Sequence, residues 1–148
     1  FDIKTYVVPG ISSSFAVPAY QGIPLTKRGA SESFWVLTGT TKMHDLSKDI
    51  VLAAQSTATV VILMGMGKLN EIVEIYASLG KNEVSVAVIQ NGTTEEEKVG
   101  YGKIKNILQV VEENQLSSPA IIVIGDVVKK RVALSSVIQD FKIKSIAV

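Results

Sequence analysis

The sequence predicts an α/β fold in which a mixed, mostly buried sheet is flanked by helices. Two uninterrupted apolar runs, Thr57 to Met64 and Ala120 to Gly125, have the composition of strands that are covered on both faces. Segments with helical spacing of apolar residues alternate with such strands along the chain, as in layered α/β proteins. Hairpin-like segments around residues 84–102 favour a mixed sheet over an all-parallel one.

The first part of the chain contains a short β-branched run, a helix and a strand. Thr5 to Val8 has the composition of a strand or of the remnant of one. A serine cap predicts a helix from about Ser13 to Tyr20, in which Pro18 favours a kink or an early end. A strand over Phe34 to Leu37 ends at the turn-like cluster that begins at Thr38.

The rest of the chain alternates between helices and strands. Ser47 can cap a helix over about Lys48 to Ala54. Helical spacing continues in Leu69, Ile72, Val73 and Tyr76, and Gly80 stands where the C-terminus of a helix favours a left-handed residue. The further predicted elements are strands over Val84 to Gln90 and Val99 to Gly102, a helix over about 104–115, the buried strand Ala120 to Gly125 and a final strand near Ile143 to Val148.

Composition limits the class of protein. The 148 residues, 47% hydrophobic content and net charge of +1 suit one domain with an ample core and no overall field that would attract nucleic acid. No apolar run approaches the ~20 residues of a membrane span, and the first residues do not have the pattern of a signal peptide. Zero cysteines exclude disulfides and thiolate metal sites. We therefore expect a cytoplasmic protein.

The most constrained segment is residues 9–28, which contain three prolines and two glycines. Proline fixes φ, and glycine permits backbone conformations that other residues resist. A segment that combines the two is typical of a loop that carries chemistry rather than of a simple linker.

This segment resembles the tetrapyrrole methylase family. The likeness lies in Pro-Gly-Ile-Ser-Ser, Pro-Ala-Tyr and Gly-Ile-Pro-Leu-Thr followed by a basic pair. It continues, in the order and near the spacing of the family, through Thr38-Gly39, Met64-Gly65, Asn91-Gly92-Thr93 and Ser118-Pro119-Ala120 to Gly125, and so covers roughly residues 6–128. The pattern is most similar to that of the uroporphyrinogen-III C-methyltransferases.

The resemblance implies a methyltransferase that uses S-adenosylmethionine (SAM) to convert uroporphyrinogen III to precorrin-2, on the way to sirohaem or cobalamin. Another precorrin methyltransferase, or a binding module without turnover, is the alternative. Family members also have an N-terminal α/β half with a Gly-Pro-Gly turn for SAM, which has no match here. We therefore expect a fragment, inactive alone, of a homodimeric enzyme, with residues 1–28 as an inter-domain, substrate-facing loop region and 29–148 as the C-terminal domain.

Met64 and Gly65 end a buried strand, where ligands of open α/β sheets gather. Spacing alone favours an ordinary strand-to-helix turn with core methionines. The resemblance instead implies that Met64 packs on the adenosine of SAM and that Gly65 lets the backbone approach it. The series Gly65, Gly67, Asn70 lacks the third glycine of a dinucleotide-binding fingerprint.

Asn91-Gly92-Thr93 also follows a buried strand. The pair Asn-Gly is typical of a plain turn, and the resemblance adds backbone contacts from Gly92 to the cofactor. A small residue at the start of the last strand either leaves room for an adenine ring or permits tight packing. The implied cofactor-binding residues are Met64, Gly65, Asn91, Gly92, Thr93 and Ala120.

The implied substrate is a macrocycle that bears several carboxylates. Lys27 and Arg28 are either a solvated basic pair or contacts to those carboxylates, which Arg binds bidentately. The resemblance adds Pro9, Ser12 and Ser13 to the substrate-facing set. The family often has His at the positions of Lys27 and Thr40, so no proton transfer is assigned there, and no catalytic residue is predicted.

The remaining polar motifs point to no other chemistry. A lone His44 is weak evidence for a metal site, and none is expected. The run Glu95 to Glu97 is typical of a solvated face. The serines at 12–14 do not lie in a Gly-x-Ser-x-Gly frame, which argues against a hydrolase.

Overall fold

The computed structural model describes residues 3–132. Its elements in this range are α1 (Ser13–Tyr20), β1 (Phe34–Thr38), α2 (Asp49–Gln55), β2 (Thr59–Leu63), α3 (Leu69–Ser78), β3 (Ser85–Gln90), β4 (Lys98–Lys103), α4 (Ile107–Glu113) and β5 (Ala120–Ile124). Short 3₁₀ turns precede α3 and follow β5. No helix within residues 3–132 has the length and apolar character that crossing a bilayer requires.

The five strands form one mixed sheet in the order β1-β2-β5-β3-β4, which confirms the predicted fold class. β1 and β2 are parallel, whereas β5 is antiparallel to both β2 and β3. Ala120, the first residue of β5, therefore lies opposite Gln90, the last residue of β3. The ends of β2 and β3 and the start of β5 meet at one edge of the sheet.

Two cores lie on the two faces of this sheet, because successive side chains of a strand point to opposite sides. Helices α2, α3 and α4 cover one face, where Ile62 of β2 is fully buried. Helix α1 and the turn after β5 cover the other face, where Val61 and Ile89 are fully buried. The central strands are thus covered on both sides, which explains their continuous apolar runs in the sequence.

Helix α1 packs on the second face through Val17. The Ser12 hydroxyl caps the helix by accepting a hydrogen bond from the Ser14 N–H. Pro18 lies within the helix, which ends at Tyr20. The predicted end at Tyr20 is confirmed. It is made by Gly22, whose φ is 65°, with hydrogen bonds from the Gly22 N–H to the Ala19 carbonyl and from the Ile23 N–H to the Pro18 carbonyl.

Four expectations need correction or fall outside the described chain. Thr5 to Val8 forms no strand, because this exposed segment pairs with no described strand and β-branched composition alone does not make one. Ser47 does not cap α2, whose start has no side-chain cap. Ile104 is buried in the turn before α4, which begins at Ile107. The final strand predicted near Ile143 to Val148 lies outside the described residues.

Candidate functional site

A hollow of about 510 Å³ opens at the edge where β2, β3 and β5 meet. Its volume is in the range of small-molecule sites. None of its lining residues is charged, so it offers an apolar surface with a few hydroxyl, amide and backbone groups. The lining residues are Ser13, Val17, Leu63, Met64, Ile89, Asn91, Gly92, Thr94, Pro119, Ala120 and Ile121.

Met64 projects from the end of β2 with an unusual backbone conformation. Its φ is 52°, and its side chain is 68% exposed. The Thr40 hydroxyl donates a 2.8 Å hydrogen bond to the Met64 carbonyl, which holds the turn in place. A large, flexible and polarizable side chain left open at a strand end is suited to packing against a ligand.

The turn after β3, residues 91–94, forms the next part of the rim. Asn91 has a φ of 48° and Thr93 a φ of 70°. The Asn91 N–H donates to the Pro119 carbonyl at 3.1 Å, and the Thr94 hydroxyl donates to the Asn91 carbonyl at 2.8 Å. A positive φ is strained for a β-branched residue, and such strain concentrates at functional sites.

Gly92 is where the turn meets α1. A Cβ at this position would lie 2.4 Å from Val17 Cγ1 and 2.7 Å from Val17 Cγ2. The missing side chain therefore allows α1 to lie directly against the turn, and the two together make one wall of the hollow.

The main chain at Gly39 lies in close contact with the main chain at Gly65, which directly follows Met64. A Cβ on Gly39 would lie 2.4 Å from Gly65 Cα, and a Cβ on Gly65 would lie 2.8 Å from Ile62 Cγ2 and 2.9 Å from Ile122 Cδ1. Both Ile side chains belong to the core under α2, α3 and α4. Close packing alone therefore accounts for a glycine at position 65. The predicted contact between Gly65 and the cofactor stays a prediction.

The structure brings most of the predicted cofactor-binding residues together. Met64, Asn91, Gly92 and Ala120 line the same hollow. Thr93 is exposed at the rim, and Gly65 is buried beneath. Had Met64 and Gly92 lain on opposite sides of the molecule, no shared site would exist.

The predicted substrate-facing residues are more dispersed. Ser13 lines the hollow, and Ser12 caps α1. Lys27 and Arg28 are exposed in a turn closed by the Lys27 N–H and the Ser31 carbonyl at 2.8 Å, and they are not among the residues that line the hollow. Pro9 is exposed in the segment before α1.

Sequence reasoning missed part of the site. Glu95 and Glu96 are exposed, as the sequence predicts, whereas Glu97 is half-buried, and its carboxylate accepts hydrogen bonds from the Thr93 N–H and from Gln21 Nε2. No local sequence pattern indicates that Gln21 and Glu97 are in contact, so this contact could not be predicted from the sequence. The apolar lining of Leu63, Ile89 and Ile121 had a signal, since each residue lies at or beside the end of a buried strand. His44 is an exposed loop residue, as predicted.

The model of the tetrapyrrole (corrin/porphyrin) methylase family matches residues 2–108. A relative from Methanosarcina barkeri named S-adenosyl-L-methionine-dependent uroporphyrinogen III methyltransferase is 40% identical over 131 residues, which are 86% of this chain and 51% of that protein. The uroporphyrinogen-III C-methyltransferase of Bacillus subtilis is 41% identical over 133 residues, which are 85% of this chain and 27% of that protein.

Solved structures agree with the fold. A crystal structure of uroporphyrin-III-C-methyltransferase from Thermus thermophilus has a TM-score of 0.66 at 28% identity, covering 88% of this chain and 53% of that chain. A second Thermus thermophilus structure, complexed with S-adenyl homocysteine, has a TM-score of 0.70 at 24% identity, covering 84% and 53%. The chain spans about half the length of these structures, and 51% and 27% of the two curated relatives. With the family match extending over most of its length, the chain belongs to the tetrapyrrole methylase family.

Proposed function

We propose that this chain is the cofactor-facing part of a SAM-dependent uroporphyrinogen-III C-methyltransferase, which forms precorrin-2 for sirohaem or cobalamin. The observation that carries the proposal is the uncharged hollow in which Met64, Asn91, Gly92 and Ala120 lie together. Identities of 40% and 41% with relatives of that name support the choice of substrate.

The residues of the hollow fit SAM, which when bound supplies a methyl group on a positively charged sulfur. Met64 and Ala120 offer apolar contact area for the adenosine, and the turn at Gly92 offers backbone hydrogen-bonding groups. A mostly apolar lining without charged side chains suits the dispersal of charge during methyl transfer. The protein acts chiefly by orienting the two reactants.

The substrate-facing role belongs to the segment before the sheet. In the proposal, residues 1–28 connect this domain, 29–148, to an N-terminal half and present Pro9, Ser12, Ser13, Lys27 and Arg28 to the macrocycle. Lys27 and Arg28 form no salt bridge with any described residue, which leaves them available to carboxylates of the substrate. The relatives' greater length supports a two-domain enzyme.

The proposal includes a homodimer in the cytoplasm. Exposed apolar residues before α1, among them Tyr6 at 86% and Val7 at 92%, support burial of this segment against another domain or subunit. Light scattering of the full-length protein should give twice the monomer mass, and a fluorescent fusion should stain the cytoplasm; a monomeric mass or another location would remove that part of the proposal.

The proposed activity is tested by incubating the full-length protein with SAM and uroporphyrinogen III. Formation of the dimethylated product, precorrin-2, is the expected result, and this chain alone should form none. Binding of SAM without product would favour the alternative of a binding module. Methylation of a later precorrin only would favour another enzyme of the same family.

Replacing Met64 with Asp in the full-length protein is expected to weaken S-adenosylhomocysteine binding by about tenfold, because a carboxylate would lose water when the ligand covers it. S-adenosylhomocysteine is the better probe, since it lacks the sulfonium charge that a carboxylate would attract. Met43→Asp is the matched control, because Met43 is 77% exposed and does not line the hollow. Calorimetry that finds equal affinity in both variants would reject the role of Met64.

A further inference from the structure

One carboxylate bridges the two parts of the wall made by α1 and the turn at 91–94. Glu97 Oε2 accepts a 2.8 Å hydrogen bond from the Thr93 N–H. The other oxygen, Oε1, accepts from Nε2 of Gln21, the residue that caps the C-terminus of α1. Glu97 thus joins two parts of the hollow's wall that are far apart in the sequence.

The bond to Thr93 acts on a strained backbone. Thr93 has a φ of 70°, and Asn91, two residues earlier, has a φ of 48°. A hydrogen bond from the strained residue to a charged acceptor is stronger than one between neutral groups. It favours the observed turn over relaxed conformations in which Asn91 and Gly92 would leave the hollow.

The bond to Gln21 is itself supported. The Tyr101 hydroxyl donates to Gln21 Oε1 at 2.8 Å, which leaves the Gln21 amide nitrogen to face Glu97. The Arg131 guanidinium lies 3.9 Å from the centre of the Tyr101 ring. Burial raises the pKa of the Tyr101 hydroxyl further above neutral pH, where an ordinary tyrosine is already protonated and able to donate.

The neighbours of Glu97 do not share this arrangement. Glu95 and Glu96 are exposed, and neither side chain accepts a hydrogen bond from a described residue, whereas Glu97 is half-buried. The three carboxylates are adjacent in sequence, and each carries one negative charge. A comparison between them separates the hydrogen bonds of Glu97 from its mere negative charge.

We propose that Glu97 is a positioning residue of the cofactor site, which fixes the turn at Asn91-Gly92 against α1 in the conformation that receives the ligand. The inference rests on the proposed function for the identity of the ligand. The geometry of the wall itself belongs to the free protein and is measurable without any ligand.

The binding test uses the full-length protein and S-adenosylhomocysteine. Glu97→Ala should weaken binding by about tenfold, because the Thr93 N–H and the Gln21 amide lose a charged acceptor. Glu97→Gln should stay within about threefold of the parent. Its oxygen still accepts from Thr93, and its amide can donate to Gln21 once the Gln21 amide turns over and the Tyr101 hydroxyl accepts from it instead. Glu96→Ala is the matched control and should bind as the parent does.

The second readout is hydrogen exchange at the Thr93 amide in the ligand-free protein. Exchange should accelerate in Glu97→Ala, and should stay near the parent rate in Glu97→Gln and Glu96→Ala. Equal exchange or equal affinity in Glu97→Ala and Glu96→Ala would overturn the positioning role, as would a Glu97→Gln variant as weak as the alanine variant. A parent protein that binds no S-adenosylhomocysteine would instead overturn the proposed function. Faster exchange of the Thr93 amide in Glu97→Ala would still confirm that Glu97 holds the turn in place.

Discussion

Replacing Gly92 with alanine is expected to lower the affinity of the full-length protein for S-adenosylhomocysteine by about fiftyfold. The wall moves to relieve a clash that typically costs about 1–3 kcal/mol, it must return to its place when the ligand binds, and each 1.4 kcal/mol is tenfold. The new Cβ would lie 2.4 Å from Val17 Cγ1 and 3.1 Å from Val17 Cβ. Val17 is only 5% exposed and its branched side chain has few alternative rotamers. Either α1 or the turn must therefore move, and both line the hollow. Isothermal titration calorimetry measures the loss.

The same contact provides a rescue. Val17→Ala removes both methyl groups that the new Cβ would meet, so the double variant Gly92→Ala, Val17→Ala should bind more tightly than Gly92→Ala alone. Such non-additivity is expected only for residues in contact. Gly67→Ala serves as the control, because a Cβ there meets nothing within 4 Å. If the two effects simply add, α1 and the turn do not form one wall.

Replacing Gly39 with alanine is expected to cost about 3 kcal/mol of unfolding free energy, at the upper end for an overpacked site. The new Cβ would lie 2.4 Å from Gly65 Cα and 3.1 Å from Gly65 N. Main-chain atoms cannot rotate away as a side chain does, so the loop after β1 must separate from the end of β2. The midpoint of thermal unfolding should fall by about 6–12 °C.

Two further variants test the cause of that loss. Gly67→Ala should leave the midpoint unchanged, because its Cβ enters open space. Ile62→Ala removes the Cγ2 methyl, which would lie 3.2 Å from a Cβ on Gly39, and should give no rescue: its cost should simply add to that of Gly39→Ala. A rescue would mean that the side chain, rather than the Gly65 main chain, limits the space, and a Gly39→Ala variant as stable as the parent would contradict the close contact of the two glycines.

Several elements could be predicted from local patterns. The helix from Ser13 to Tyr20 follows from a serine cap, and β2 and β5 follow from continuous apolar runs, which are typical of strands covered on both faces. Thr5 to Val8 shows the limit of this reasoning, because its β-branched residues find no strand to pair with. Glu97 is a second example. Glu95, Glu96 and Glu97 are identical residues in one run, and only the folded structure shows that Glu97 accepts hydrogen bonds from Thr93 and Gln21.

The sequence by itself determined the layered α/β fold and the family, because apolar runs and the order of motifs are properties of the linear sequence. Only the tertiary structure decided that Met64, Gly92 and Ala120 border one hollow, since this depends on β5 lying between β2 and β3. It alone decided that Gln21 and Glu97, 76 positions apart, share a hydrogen bond. The physical reason is that helix and strand preferences act between near neighbours, whereas a binding site is made by contacts between segments that only folding brings together.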